Sequence, residues 1–524
     1  KLIYEVFVEE ICAGPIPYIV ADLLCTVDGR KAFHARAMGL ELVPDHPMST
    51  MESDLMALSS DDSVIDVARD KYGFAFDMRA MMASALGRPS EAFGSMYQAF
   101  DGHRKVARLP GPPYHFMSRV RHISEPLNAF RAGISIDLEY DIPADAWYFL
   151  SNGSKTMPFA ILLEAALQPC GWLASAVGSA LRVDEDLSFR NLDGDGILHC
   201  ELFPNSGTLT TRVTLTNISQ SAGMIIESFD VRCFVGETLI YTLSTVFGFF
   251  PQIALQNQVG LPITPQHRNI FDAVSDFEID LTTFPSKYFR GTARLADRHL
   301  CMLDRITGYE SKGGSFGKGW IRGIKFVNSS EWFFKAHFFQ DPVQPGSLGI
   351  EALIQLLQIY MIESGLVDHE SLVDRNPRFE PLALECSMKW KYRGQVVPHN
   401  EVITTTMEIV EHGVDDRGVF AIGNGSLWVD GKRIYEVENM GMRLVAGDPK
   451  AKLVPVDISQ QKYWLPLHES RVLDQKKQRL IESVEHSVED LHLKVSLDEF
   501  RSTIQGRPVL FVANHQTAME SLAF

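Results

Sequence analysis

Paired cysteines are missing from this chain of 524 residues. Its seven cysteines are scattered, odd in number and include no C-x-x-C. That excludes a disulfide framework and zinc-finger spacing, and points to reduced thiols in a cytoplasmic setting. Positive charge is also scarce. Lys and Arg number 49 against 66 Asp and Glu, a net charge of −17. This excludes the basic footprint of a nucleic-acid binder and attraction to an anionic membrane surface. There is no Gly-rich phosphate loop, dinucleotide fingerprint or metal-ligand cluster, so no cofactor and no metal is expected. The opening KLIYEVFVEE has the form of neither a signal peptide nor a targeting helix. Residues 157–181 are long and apolar enough to span a bilayer. They hold Glu164, Gln168, Pro169 and Gly171 and lack basic flanks at both ends, so they read as a buried core helix and no membrane span is expected.

What is present is repetition. LLCTVDGRKAFHARAMGLELV from Leu23 and GSLWVDGKRIYEVENMGMRLV from Gly425 share V-D-G-[RK], then M-G and L-V at identical offsets. RCFVGETLIYTLSTVFGFF from Arg232 keeps the pattern with Gly-Glu for Asp-Gly. The dipeptides predict two-residue hairpin turns, type I′ for Asp-Gly and II′ for Gly-Glu, between antiparallel strands. A second pair of twins lies upstream. WYFLSNGSKTMPFAILLEAALQPCGWL from Trp147 aligns with WFFKAHFFQDPVQPGSLGIEALIQLL from Trp332, with a two-residue deletion. Asn152 falls where His337 sits, Glu164 matches Glu351, and Gln168 matches Gln355. Each repeat thus predicts a short strand, an aromatic stretch, a loop, a long apolar helix and several long strands. The predicted fold is α+β, each helix wrapped by a curved antiparallel sheet. Residues 1–45 hold only the closing strands of such a module and 46–107 a connector. The two full repeats are 108–256 and 291–448, separated by a linker at 257–290. Residues 449–524 form a helical linker that changes character near its end.

The stretch HFFQDPVQPGSLGIEALIQ, followed by LECSMKWKYRGQVVP (384–398), resembles the hotdog-fold β-hydroxyacyl thioester dehydratases of the β-hydroxydecanoyl type. The tandem arrangement, with GRPSEAFGSMYQAFDG (87–102) before it, resembles the dehydratase region of polyunsaturated fatty acid synthases, which are polyketide-like. The resemblance implies a tandem, double hotdog that removes water from a 3-hydroxyacyl chain on acyl carrier protein, giving the 2-enoyl product. In some of the family the new double bond then moves. It also implies other synthase domains and an acyl carrier protein, with its phosphopantetheine, as partners. A homodimer is compatible with it. Where the family more often has aspartate, this chain has glutamate.

Dehydration needs a base beside the carbonyl, an acid for the departing hydroxyl and stabilisation of the enolate-like oxygen. His337 is the candidate base, since imidazole titrates near neutrality. A carboxyl buried in an apolar helix has its pKa raised and can store a proton. Gly346 begins a helix whose free N–H groups suit the oxygen. In related dimers the histidine of one hotdog meets the acid of its partner. Carried over, His337 meets Glu164 of the first repeat, while Glu351 faces Asn152 in a dead site. Glu351 as the partner within its own repeat stays open. Gln168 and Gln355 either orient the acids or satisfy the core, and His115, aligned with Cys301, reads as packing. A hotdog thioesterase and a non-catalytic scaffold that holds an acyl chain are the alternatives. Finally, VLFVANHQTAMESLAF places His515 and Glu520 as in the H-x-x-x-x-[DE] motif that opens glycerolipid acyltransferases. The fragment would be inactive alone.

Overall fold

The computed structural model describes residues 1–12, 18–41, 67–102 and 104–447. His515 and Glu520 lie outside the described residues, as does the predicted helical linker beyond residue 448. The chain divides into two units. Strands β1 (Leu2–Cys12), β2 (Tyr18–Val27) and β3 (Arg30–Glu41) form an antiparallel three-stranded sheet in the first. Residues 67–447 belong to the second.

The predicted hairpins form with the expected turns. Asp28 and Gly29 have φ of 48° and 78°, and Asp430 and Gly431 have 48° and 79°. Positive φ at both central residues is the type I′ signature. At Gly236-Glu237 only the glycine is positive, at 56°, as type II′ requires.

The second unit contains two copies of one arrangement. In the first, β4 (Arg119–Ile123), β5 (Ser135–Asp141), β6 (Leu187–Leu198), β7 (Thr208–Ser221), β8 (Met224–Val235) and β9 (Thr238–Pro251) are ordered β4-β5-β7-β8-β9-β6. A two-residue strand β10 (Ile279–Asp280) and then β11 (Arg305–Glu310), β12 (Trp320–Phe326), β13 (Arg378–Phe379), β14 (Ser387–Tyr392), β15 (Val402–Val414), β16 (Val419–Val429) and β17 (Lys432–Val445) follow. They repeat the order as β11-β12-β15-β16-β17-β14. Antiparallel pairing of β14 with β6 joins the copies into one 14-stranded sheet.

Each copy wraps one helix, α1 (Phe159–Ala176) and α2 (Gly346–Glu363). All of α1 is buried, on the sheet side and against α2. The apolar run is therefore the core helix of a double hotdog. Full burial of one leucine or phenylalanine there contributes about 1.5–3 kcal/mol.

Matching hydrogen bonds relate the copies by an approximate two-fold axis. The Gly111 amide donates to Ala336 O at 2.8 Å and that of Asp297 to Ser151 O at 2.9 Å. The Trp147 and Trp332 rings meet at 5.4 Å. Their indole N–H groups donate to Pro113 O and His299 O, each at 3.1 Å.

In β8 strand alternation carries a carboxyl inward. β8 buries Ile225, Glu227, Phe229, Val231 and Cys233 in turn, so the Glu227 carboxyl points inward among apolar groups. It accepts from the Ser179 hydroxyl, and burial pushes its pKa up to about 7. A carboxyl raised in the fold stabilises fully below its unfolded value, and that stability is lost as pH rises through about 7. Glu227→Gln cannot ionise. It is expected to melt well above the parent near pH 8 and to match it near pH 4 in a thermal scan. An equal difference at both pH values would contradict this.

Candidate active site

The loop from Glu331 to Pro345 carries His337 to the seam between the repeats. The short helix Trp332–Ala336 ends at His337, whose amide donates to Phe333 O at 2.8 Å. Val343 then folds back, its amide reaching His337 O at 2.8 Å. Arg190 of the first repeat holds this loop by an ion pair to Asp341 at 2.8 Å, and its Nε donates to Gln395 after β14 at 2.8 Å. The imidazole is buried, with Nδ1 3.0 Å from Val343 O. A carbonyl only accepts, so Nδ1 carries the proton and Nε2 keeps its lone pair. Burial pushes the pKa down to about 3, and the ring is neutral at any working pH.

Glu164 lies in the middle of α1, buried, and burial pushes its pKa up to about 7. Ser347, at the start of α2, donates to its Oε2 at 2.7 Å. The Tyr114 hydroxyl lies 2.9 Å from Ser347 Oγ. Gln168 stands further off, its Nε2 3.4 Å from Oε1. The same amide donates to Tyr114 O at 2.7 Å and accepts from the Phe116 amide at 2.8 Å. It therefore ties the core together and faces the acid at once. Gln355 repeats this with Leu300 O and the Met302 amide, at 2.7 and 2.8 Å.

His337, Glu164, Gln168, Gly346 and Ser347 line one cavity, with about 810 Å³ of empty space including its open mouth. Leu109, Leu167, Gly171, Phe189 and Phe247 supply apolar walls. Glu164, Leu167, Gln168 and Gly171 are one stripe of α1, at the i, i+3, i+4 and i+7 spacing. No side chain caps α2, which follows Pro345. The amides of Leu348 and Gly349 bond to Pro345 O, while those of Gly346 and Ser347 come first in the turn and have no acceptor within the helix. The cavity thus combines a neutral imidazole, a proton-bearing carboxyl and helix N–H donors.

Glu351 is not among the lining residues. Its carboxyl, also pushed up to about 7 by burial, is bonded by Gln355 at 2.9 Å. Asn152, in the His337 position, spends its amide on Ser154 Oγ and on Thr156 O and Oγ1, at 3.1, 2.8 and 3.3 Å. No hydrogen bond joins Asn152 to Glu351 among the described residues. Where the first acid has Ser347 and Tyr114, the two-fold equivalents are Ala160 and Leu300. His115 is half-buried, with Nδ1 on Pro110 O at 2.8 Å. Among the described residues no cluster of His, Cys, Asp and Glu is placed to hold a metal.

Sequence reasoning missed Ser347, Tyr114 and Arg190. Ser347 had a signal, since it follows Gly346 in the string that opens α2 and faces Ala160 in the twin. Arg190 and Tyr114 reach the site only through the packing of one repeat on the other.

Residues 295–438 match the FabA-like domain family. The chain is 26% identical over 402 residues to one of the subunits of the polyunsaturated fatty acid synthase of Thraustochytrium sp., covering 72% of this chain and 26% of that protein. The chain thus spans about a quarter of that relative's length. Among solved structures, it is similar to the dehydratase domain from the CurJ module of curacin polyketide synthase. There the identity is 13%, the coverage 63% of this chain and 96% of that one, and the TM-score 0.37. It is also similar to a protein described as an oleoyl thioesterase from Lactobacillus plantarum, at 11% identity, 60% and 97% coverage and a TM-score of 0.35.

Proposed function

We propose that the FabA-like second repeat and the repeat before it form one dehydratase, which converts a carrier-bound 3-hydroxyacyl thioester to the 2-enoyl thioester within a polyunsaturated fatty acid synthase. One observation carries the reading: a buried histidine from one repeat and a buried, proton-holding glutamate from the other line the same cavity. His337 Nε2 takes a proton from C2 of the acyl chain. The electrons move onto the thioester oxygen, which the Gly346 amide receives. They return as the C3–oxygen bond breaks, and the hydroxyl departs as water with the proton of Glu164. The imidazolium and carboxylate left behind stabilise one another across the emptied space, and proton return through solvent resets the site. The apolar walls supplied by Leu109, Leu167, Phe189 and Phe247 suit the alkyl chain. The substrate arrives on the phosphopantetheine of an acyl carrier protein elsewhere in the synthase. Isomerisation would have His337 Nε2 take a proton from C4 and return one to C2.

The test is incubation of the chain with a 3-hydroxyacyl thioester, with products separated by mass and kcat/KM followed against pH. Enoyl thioester is expected as the product. The rate is expected to fall about tenfold per pH unit above about 7, as Glu164 loses its proton. It should hold level on the acid side until the fold itself fails, since His337 stays neutral there. Release of free acid would point to a thioesterase, and no turnover to a scaffold. A rate that rises through pH 7 would contradict Glu164 as the stored acid.

A further inference from the structure

The cavity holds a polar group that the reaction above does not use. Tyr392 lines it, is 5% exposed, and its hydroxyl has no hydrogen-bond partner among the described residues. A buried hydroxyl without a partner destabilises the fold, and one that lines a cavity can take its partner from a bound ligand. Its position says which ligand atom that is. Tyr392 closes β14 in the inward register, after Met388 and Trp390. Its ring lies directly on the first residue of α2. A Cβ added at Gly346 would be 2.7 Å from Tyr392 Cε2 and 3.1 Å from Cζ, the carbon that bears the hydroxyl. Tyr435 packs beside it at 4.3 Å and occupies the matching place over Gly349. The two glycines, at i and i+3 on one helix face, leave room for the tyrosine pair. Together these place the phenol next to the first-turn amides.

We propose that the Tyr392 hydroxyl is a second donor to the thioester oxygen, beside the Gly346 amide. This rests on the dehydration reading. As C2 loses its proton to His337, negative charge collects on that oxygen and two donors share it. Tyr392 lends a hydrogen bond and keeps its proton, so the proton balance between His337, Glu164 and departing water is unchanged. Burial raises the phenol well above its ordinary value, in keeping with a donor that does not ionise. Two fixed donors are the arrangement that stabilises a developing oxyanion.

Tyr392→Phe, made in the full chain, keeps the ring on Gly346 and removes only the hydroxyl. It is expected to lower kcat on a 3-hydroxyacyl thioester by about 10²-fold, with KM within about twofold. Two unreactive mimics separate the role from packing: an amide-linked 3-hydroxyacyl pantetheine, which keeps the carbonyl oxygen, and the thioether, which lacks it. The variant should bind the amide several-fold more weakly and the thioether as the parent does. Thioether binding also reports that the variant is folded. A kcat within about twofold of the parent, or equal weakening of both mimics, overturns the proposal. His337→Ala assayed alongside distinguishes the two failures. Full turnover there removes the dehydration reading itself, whereas an inactive His337→Ala beside an active Tyr392→Phe removes only this inference.

Discussion

His337→Ala is expected to lose dehydration of a 3-hydroxyacyl thioester by about 10³-fold or more, the scale of a positioned general base. The cavity offers no substitute. Its other titratable side chains are Glu164, Arg190, Tyr392 and Tyr435. The first holds a proton near neutrality, the second is a cation paired with Asp341, and burial raises both phenols. None is a neutral base. The loop should survive the change, because the backbone bond from Val343 to His337 O remains and only the Nδ1 bond is lost. An unaltered melting transition with absent turnover is the expected pair of results. Retained turnover in a folded His337→Ala protein removes the histidine from the mechanism.

The second large effect is an asymmetry between two carboxyls that local sequence cannot tell apart. Glu164→Gln should cost about 10²–10⁴-fold in kcat, and Glu351→Gln should leave kcat nearly unchanged. Both are buried in mid-helix, both have a glutamine four residues on, and burial pushes both up to about 7. The difference lies in what surrounds them. Glu164 shares a cavity with His337 and is held by Ser347 from the opposite repeat. Glu351 is bonded to Gln355 and does not line that cavity. In each variant the amide keeps the shape and loses the acid. Turnover assays of the two purified variants check the asymmetry, and equal losses, or a larger one from Glu351→Gln, would contradict it.

Most of each repeat was legible because its signals are local. The Asp-Gly and Gly-Glu dipeptides fix hairpin turns within two residues, and period-two alternation fixes the strands beside them. The single carboxyl inside each apolar run marked the acids, and the string from His337 through Gly346 marked the base and the helix start. What joins the halves was less legible. The Ser347–Glu164 bond spans 183 residues and the Arg190–Asp341 pair 151, and no pattern along the chain encodes them. The choice between Glu164 and Glu351 depended on how α1 and α2 face one another across the approximate two-fold axis. The edge at which β14 meets β6 was equally silent, since each strand alone reads as an ordinary alternating segment. Tyr392 went unnoticed for the same reason: its place on Gly346 comes from the strand crossing the helix start, not from its neighbours in sequence.

The most direct measurement is a crystal structure of the chain with an unreactive, amide-linked 3-hydroxyacyl pantetheine bound. The account predicts the acyl C2 about 3–3.5 Å from His337 Nε2 and the 3-hydroxyl within hydrogen-bond reach of the Glu164 carboxyl. An acyl chain seated against Glu351, or anywhere that leaves His337 and Glu164 unable to touch the same molecule, would contradict it.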